Sequence, residues 1–462
     1  MSNIKKLKDI HGNDIYPITT TDAVFTSGGQ SVSEYLSTSL NLLTQQIQSY
    51  EAKNEEVRQK LMDMLDEAGL TYDPNSSITD LLNRFLPANS GDGDESLSYD
   101  VKRISCGENF TYILKNDNTA YYAGLNTSYQ LGINNNTNVS SLTQLTSSGQ
   151  VYFTIDNIKQ ISCGGKHTFA LKNDGTLWAA GANGSGQLGL GDTSIKEWFL
   201  QVTRNITNDV KQIAAGYNHS VLLKNDGTVW SCGGNDYGQL GLSGTFDQKY
   251  FNQVTSLSDI IYITCSAYNT YALSANGDLY GTGFNSAGQL GLGNQTNSSS
   301  FVRIDTNVKR VAAGSLNLYY LKNDGTLWAT GDNGYGQLGI NTSATNSPAM
   351  SPVNVTTNVD KVKDIACCMN QTVYMLKTDG TVWSCGRNDY GQLGMTGVNY
   401  TVFNKISTLS NIVDIFSTLS YCAFALQSDG TVWSWGQSKN GETGLGTGNV
   451  TEPRAISINL KN

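Results

Sequence analysis

The chain has 462 residues, of which 48 are Gly, only 6 are Pro and 15% are charged, against roughly 25% charged in an average soluble domain. Such glycine content without proline excludes a collagen-like or Pro-rich disordered chain, and with 24 Tyr and 7 Trp to bury it reads as a turn-rich β protein. The formal net charge is −9, of which −8 lies in residues 1–98, and neither part carries the basic excess that nucleic-acid binding requires. No run approaches the roughly 18 apolar residues of a membrane span, so no membrane insertion is expected. The N-terminus has charge but no apolar stretch behind it, which argues against ordinary secretion.

In chain order, residues 1–28 form an opening segment, KLKDIHGNDIYPITTTDAVF, with the core L-K-D-x-x-G-N-x-I-Y-P-x-T. This motif resembles the leader of tail-tip and baseplate-attached proteins of bacteriophages that infect Gram-positive bacteria. The resemblance implies attachment to a particle. Residues 29–70 carry a heptad with a positions Ser33, Leu40, Ile47, Asn54, Leu61 and Ala68 and d positions Leu36, Leu43, Tyr50, Val57 and Met64. An apolar stripe of about five heptads with polar residues between predicts an α-helical coiled coil on the order of 50 Å long. Asn54 at an a position would fix its register, and the phage-like order of segments favours a homotrimer, although the pattern itself allows a dimer. Residues 71–98 then give one short helix, capped at Ser76 or Ser77 and stopped by Pro87, and the acidic small-residue linker ANSGDGDESLS.

Residues 99–462 are a repeat. Aligned on the Leu that opens LKNDGTLW, the units start at Leu114, Leu171, Leu223, Leu273, Leu321, Leu376 and Leu426, in steps of 48 to 57 residues. Each unit has an apolar run, an alternating run such as HTFALK, a D-G or N-G turn, a second run such as TLWAAG, and a loop ending in N-x-x-G-Q-L-G. A D-G pair between alternating runs is a hairpin signal, and stretches such as FLQVTRN supply a fourth strand. Seven units of four short strands predict an all-β seven-bladed β-propeller preceded by the coiled coil. The pattern in GGKHTFALKNDGTLWAAGANGSGQLG and GYNHSVLLKNDGTVWSCGGNDYGQLG closely resembles the regulator of chromosome condensation repeat family. Units one and seven depart most, with Tyr129 where Gly is expected and Glu442-Thr443 in place of Gln-Leu, and the C-terminal strand can complete either the last blade or the first.

Three columns invite a functional reading. The aromatic after the turn (Tyr121, Trp178, Trp230, Tyr280, Trp328, Trp383, Trp433) reads as packing between blades. Cys106, Cys163, Cys265 and Cys367 share one column and Cys232 and Cys385 another, as small buried fillers in a reducing compartment. His167 and His219 stand at one position in adjacent units, aligned with Phe110, Asn269, Asn317, Gln371 and Tyr421, and suit interior hydrogen bonding better than a metal. No nucleophile-base pair, phosphate loop or metal-ligand spacing is present, so neither catalysis nor a cofactor is expected. Binding is assigned to loops: Tyr237, Tyr335 and Tyr390, two residues before the Gln of Q-L-G, are candidates for an aromatic rim. Trp198 in the IKEWFLQ insertion is a fourth candidate, with one of Trp198 and Phe199 expected in the core and the other exposed.

The order of leader, coil, linker and propeller is that of a phage tail fibre or baseplate receptor-binding protein. It predicts a virion component made in the bacterial cytoplasm, held by its N-terminus to a tail or baseplate protein and meeting a host-surface glycan or protein through the propeller. The alternative is a propeller that serves protein–protein interaction. The namesake of the repeat family exchanges guanine nucleotide on a small GTPase and docks on chromatin, and a related propeller blocks β-lactamase. This chain lacks the basic tail that chromatin docking would use.

Overall fold

The computed structural model describes residues 7–8, 14–15, 101–145, 155–341, 349–355, 361–369, 371–416 and 418–456. The chain divides into two units, Met1–Asn89 and Ser90–Asn462. In the first, Leu7–Lys8 pairs antiparallel with Asp14–Ile15, placing Leu7 opposite Ile15 within the leader motif. The coiled coil expected over 29–70, with its stripe from Leu36 to Met64, lies outside the described residues, as do the short helix and linker of 71–98.

In the second unit the described residues form seven four-stranded antiparallel sheets, each built from strands consecutive in sequence. In blade 2 these are Ile158–Cys163, His167–Lys172, Leu177–Gly181 and Lys196–Val202, and the other blades repeat the order. The first strands of neighbouring blades lie side by side and surround the axis. The hairpin between second and third strands follows from its five residues. The Gly175 N–H donates to the Lys172 carbonyl at 3.0 Å and Gly175 takes φ 80°, a type I turn closed by a left-handed residue. In blade 1, Asn118 takes that place at φ 65°.

The rest of the KNDGTxW motif completes the turn. Asp174 Oδ1 accepts the Thr176 N–H at 2.9 Å and its hydroxyl at 2.6 Å, and Thr176 Oγ1 accepts the Trp178 Nε1–H at 3.0 Å. In blades 3, 5 and 6 the Lys opening the turn lies over the Trp ring, 4.5 to 4.9 Å from its centre. These aromatics are half-buried at the turn end of the blade and pack against the layers between blades, the place the column was expected to take. The ring is held at the turn by its indole N–H and the lysine, and only one side of it reaches the packed layer.

The core lies between blades. Phe169, Leu171 and Leu177 of blade 2 pack on Val210, Ile213 and Leu222 of blade 3, and each successive pair of blades builds such a layer. The seventh layer joins Phe424, Leu426 and Ile456 of blade 7 to Val101, Ile104 and Ile113 of blade 1 and closes the ring. Val450–Ile456 pairs with Val432–Gly436, so among the described residues the C-terminal strand completes blade 7 and no strand is exchanged across the seam. All eight cysteines are free thiols, seven of them buried and Cys265 half-buried.

Around the axis, one first-strand column faces the next blade. Gln160 and Gln212 exchange side-chain amide hydrogen bonds of 3.0 to 3.2 Å with the backbone of Ile213 and Ile263. Further round, the same column holds Arg310, Asp364, Asp414 and Arg103, with Arg310 and Asp364 3.7 Å apart. Burial and the nearby Asp364 carboxylate push Asp414 up to about 7, against the attraction of Arg103 and Arg310. Burial also raises Asp364.

At Gly386, φ is 104° and an added Cβ would fall inside contact distance of the Gln371 carbonyl oxygen, whereas at Gly325, φ 83°, the space is open. Gly386→Ala is expected to cost about 3 kcal/mol or more and Gly325→Ala only about 1 kcal/mol, read as urea unfolding free energies. For Asp414, whose folded value lies above its unfolded one, the folded state keeps a proton that the unfolded chain has lost, so this group weakens the fold as pH rises from about 4 to about 7. His167 and His219 act the opposite way: burial lowers them to about 3 and about 4, so they weaken the fold as pH falls below the ordinary histidine range. Asp414→Asn is therefore expected to stabilise, relative to the parent, by about 2 kcal/mol at pH near 7.5 and by close to nothing near pH 4. An equal difference at both would show that folding does not raise Asp414.

Candidate functional site

In a meander blade, the first-to-second turns and the third-to-fourth loops emerge at one face of the ring, and the DG turns and interblade connections at the other. The first face carries the N-x-x-G-Q-L-G loops, whose recurring polar residues build the loop itself. Asn183 Oδ1 accepts the Leu188 N–H at 3.0 Å, Gln187 Oε1 accepts the Ser185 N–H at 2.9 Å, and Leu188 is fully buried. The Gln187 carbonyl accepts the Ser220 hydroxyl of the next blade at 2.8 Å. At the departing blade 7 motif, Glu442 does the same work. Its carboxylate accepts the Asn440 N–H at 2.7 Å, and its carbonyl accepts the Thr111 hydroxyl of blade 1 at 2.6 Å.

The histidines are consumed in the same way. His167 Nε2 pairs with Ser220 Oγ at 2.9 Å and His219 Nε2 with Thr270 Oγ1 at 3.1 Å, both across blade boundaries and both buried. Strand register corrects the column for two blades: opposite the third-strand glycines stand Thr372 and Cys422, where Gln371 and Tyr421 were expected. Those two residues lie one position earlier, in the turns on this face. Among the described residues no group of three or more His, Cys, Asp or Glu is placed to hold a metal ion.

The three tyrosine candidates occupy three separate slots between adjacent blades. Tyr237 of blade 3 packs edge-on against Tyr268 and Phe284 of blade 4, with ring centres 5.2 and 4.7 Å apart. Tyr335 of blade 5 lies under the Arg387 guanidinium of blade 6, 4.8 Å away, and Arg387 Nε donates to Asp389 at 2.6 Å. Tyr390 of blade 6 meets Tyr421 of blade 7 at 5.1 Å. Each is half-buried, so the column forms a rim in which every tyrosine leans on the next blade. Trp198 is not part of it. It sits half-buried within the fourth strand of blade 2 and lines a cavity of about 380 Å³ with Ile195, Lys196, Glu197 and Leu200, while Phe199 is the buried member of the pair.

The slot between blades 3 and 4 is the richest, and three of its four rings are not signalled by the Q-L-G column. Tyr217 and Tyr268 come from first-to-second turns and Phe284 directly follows a third strand; Tyr217 and Tyr268 lie 5.9 Å apart. The Tyr217 hydroxyl donates to Glu108 Oε2 at 2.8 Å, and burial together with that carboxylate pushes the phenol well above its ordinary range. Lys166 Nζ stands 3.9 Å from the same oxygen. A reading of the turn columns, in which aromatics replace the Asn, Gly and Ser of other blades, would have found these residues.

This geometry can be set beside known proteins. A model of the RCC1-like domain matches residues 84–309, and models of the regulator of chromosome condensation (RCC1) repeat match residues 308–337, 324–375, 362–392 and 379–423. The chain is similar to the X-linked retinitis pigmentosa GTPase regulator of Mus musculus, at 33% identity over 161 residues, 35% of this chain and 16% of that protein. It is also similar to the Ultraviolet-B receptor UVR8 of Arabidopsis thaliana, at 28% identity over 220 residues, 46% of this chain and 49% of that protein. The chain thus spans half or less of the length of these curated relatives. Among solved structures, yeast RCC1 (Prp20) bound to Kap60 superposes with a TM-score of 0.65 at 19% identity, covering 81% of this chain and 87% of that one, which shows the shared fold. The virion location expected from the opening segment is corrected by these relatives, which are eukaryotic propellers and not virion components. They favour the protein-interaction alternative over the tail-fibre reading. With seven blades, the repeated turn and loop motifs and matching repeat models, the propeller of this chain belongs to the RCC1-like repeat family.

Proposed function

We propose that this protein is a protein-interaction module that works by binding, and that the face bearing the first-to-second turns and the Q-L-G loops receives a polypeptide partner. The observation that carries this reading is where the chain leaves apolar surface uncovered. The two most exposed large hydrophobic side chains among the described residues, Phe246 at 83% and Val398 at 79%, both stand on this face, in the loops of blades 3 and 6 that also hold Tyr237 and Tyr390. Exposed apolar side chains next to half-buried rings are the composition of a contact surface. The opposite face has the carboxylates of its turns tied into the turns themselves, as with Asp174, which accepts from the N–H and hydroxyl of Thr176. Relatives named as a GTPase regulator and a receptor support a role exercised through binding.

The test places a photo-activatable cross-linking residue, in the full chain expressed in its own cells, at Phe246 or Val398, and for comparison at Asn225 or Asn323 in the turns of the opposite face. Discrete adducts are expected from the first pair and not from the second. Adducts only from Asn225 and Asn323, or equal adducts from both faces, would overturn the assignment of the face.

A further inference from the structure

Resting on that reading of the face, we infer that the slot between blades 3 and 4 takes an arginine-bearing segment of the partner, with a guanidinium on the rings of Tyr237, Tyr268 and Phe284 and the carboxylates of Glu108, Asp236 and Asp247 supplying the opposing charge.

The chain itself shows what this kind of slot accepts. Between blades 5 and 6, the residue directly after the third-strand glycine Gly386 is Arg387, and its guanidinium lies 4.8 Å from the Tyr335 ring. Between blades 3 and 4, the residue directly after Gly283 is Phe284, so the equivalent tyrosine, Tyr237, meets a ring and, among the described residues, no cation. The slot therefore has three ring faces and edges, each half-buried, where its counterpart has one ring and one arginine.

Charge selects the occupant. The loop from Gly234 to Asp247 contains Asp236 and Asp247, both exposed, and no Lys or Arg, and the blade 4 loop from Phe284 to Asn297 contains no charge at all. Glu108 adds a third carboxylate, held beside Tyr217, against the single positive charge of Lys166. An acidic rim around aromatic rings attracts a cation and repels phosphate, which excludes a nucleic-acid backbone as the occupant. Arginine is favoured over lysine because its planar, weakly hydrated guanidinium stacks on rings and forms paired bonds to carboxylates, while the lysine ammonium gives up more hydration for the same contact. The exposed Phe246, next to Asp247, offers apolar surface to the residues flanking that arginine.

The experiment measures fluorescence anisotropy of labelled octa-arginine, octa-lysine and octa-glutamate peptides with the full chain, at low and at physiological salt. Octa-arginine is expected to bind several-fold more tightly than octa-lysine, and octa-glutamate not at all. Tyr237→Ala and Glu108→Gln should each weaken octa-arginine about 5- to 10-fold, while Asn323→Ala, in a turn of the opposite face, should leave it unchanged. Phe284→Arg installs the cation that blade 6 supplies to its own slot and should abolish octa-arginine binding. Thermal melting of each variant establishes that it is folded, and Phe284→Arg keeps the test decisive where an alanine variant fails to fold. Equal binding of the arginine and lysine peptides, or octa-arginine binding that survives Phe284→Arg, would overturn the inference. Cross-links at Phe246 that persist in that event would mean that the face binds a partner of other chemistry. Loss of those cross-links would instead remove the assignment of the face.

Discussion

Everything in the propeller depends on the fact that no blade has a core of its own. A four-stranded sheet of five- to eight-residue strands is two-sided, and both of its sides here are buried against neighbours, with Phe169 and Leu171 spent on blade 3 and Ala170 and Ile161 on blade 1. Such a sheet alone would expose two apolar faces to water, at a cost of about 25 cal/mol for every Å² left uncovered. The only arrangement that covers every face is a closed ring, so the seam between blades 7 and 1 matters to the stability of all seven.

That seam is built differently from a strand-exchanging closure. Blade 7 keeps its own fourth strand, and the join is made by the apolar layer around Phe424 and Val101, by the Glu442 carbonyl on Thr111, and by the Leu419 N–H on the Cys106 carbonyl at 3.2 Å. Thr418 extends this to blade 6, donating its N–H to the Cys367 carbonyl at 3.0 Å. The axial charges fall on the same blades. Arg310, Asp364, Asp414 and Arg103 belong to blades 5, 6, 7 and 1, whereas blades 2 and 3 use neutral glutamine at that position. The closing side of the ring thus carries the ionisable groups of the axis, and the opening side the neutral ones.

The division of labour within each repeat separates structure from recognition. Asn, Gln, Gly and Leu of the Q-L-G loop, and Asp, Gly and Thr of the turn, are fully occupied in holding the backbone, so they recur in nearly every blade. The positions between them touch solvent and the next blade, and there the chain varies: Ser185, Tyr237, Ala287, Tyr335 and Tyr390 occupy one column, and Lys166, Tyr268, Gln371 and Tyr421 another. A rigid ring with variable side chains at fixed places gives each slot its own chemistry, from the aromatic cluster of blades 3 and 4 to the Tyr335–Arg387 pair of blades 5 and 6.

The sequence by itself determined the blade count, the hairpin at every D-G pair and the fourth strands at stretches such as FLQVTRN, because these are local: a left-handed glycine, an Asp capping a Thr and an alternating apolar run act within a few residues of each other. It also placed Tyr237, Tyr335 and Tyr390 on one loop column. It did not reveal how deeply the Trp column is buried, since burial of a ring depends on how far the adjacent blade extends over it. Nor did it bring Tyr268 and Phe284 of blade 4 to Tyr237 of blade 3, or Tyr217 of blade 3 to Tyr268, across the boundary between the two blades. The blade to which Val450–Ile456 belongs, the pairing of Arg310 with Asp364 and the work of Glu442 at the seam were likewise decided only when the ring closed. Each of these is a contact between segments far apart in sequence, fixed by the stacking of one sheet on the next and not by any local preference of its residues.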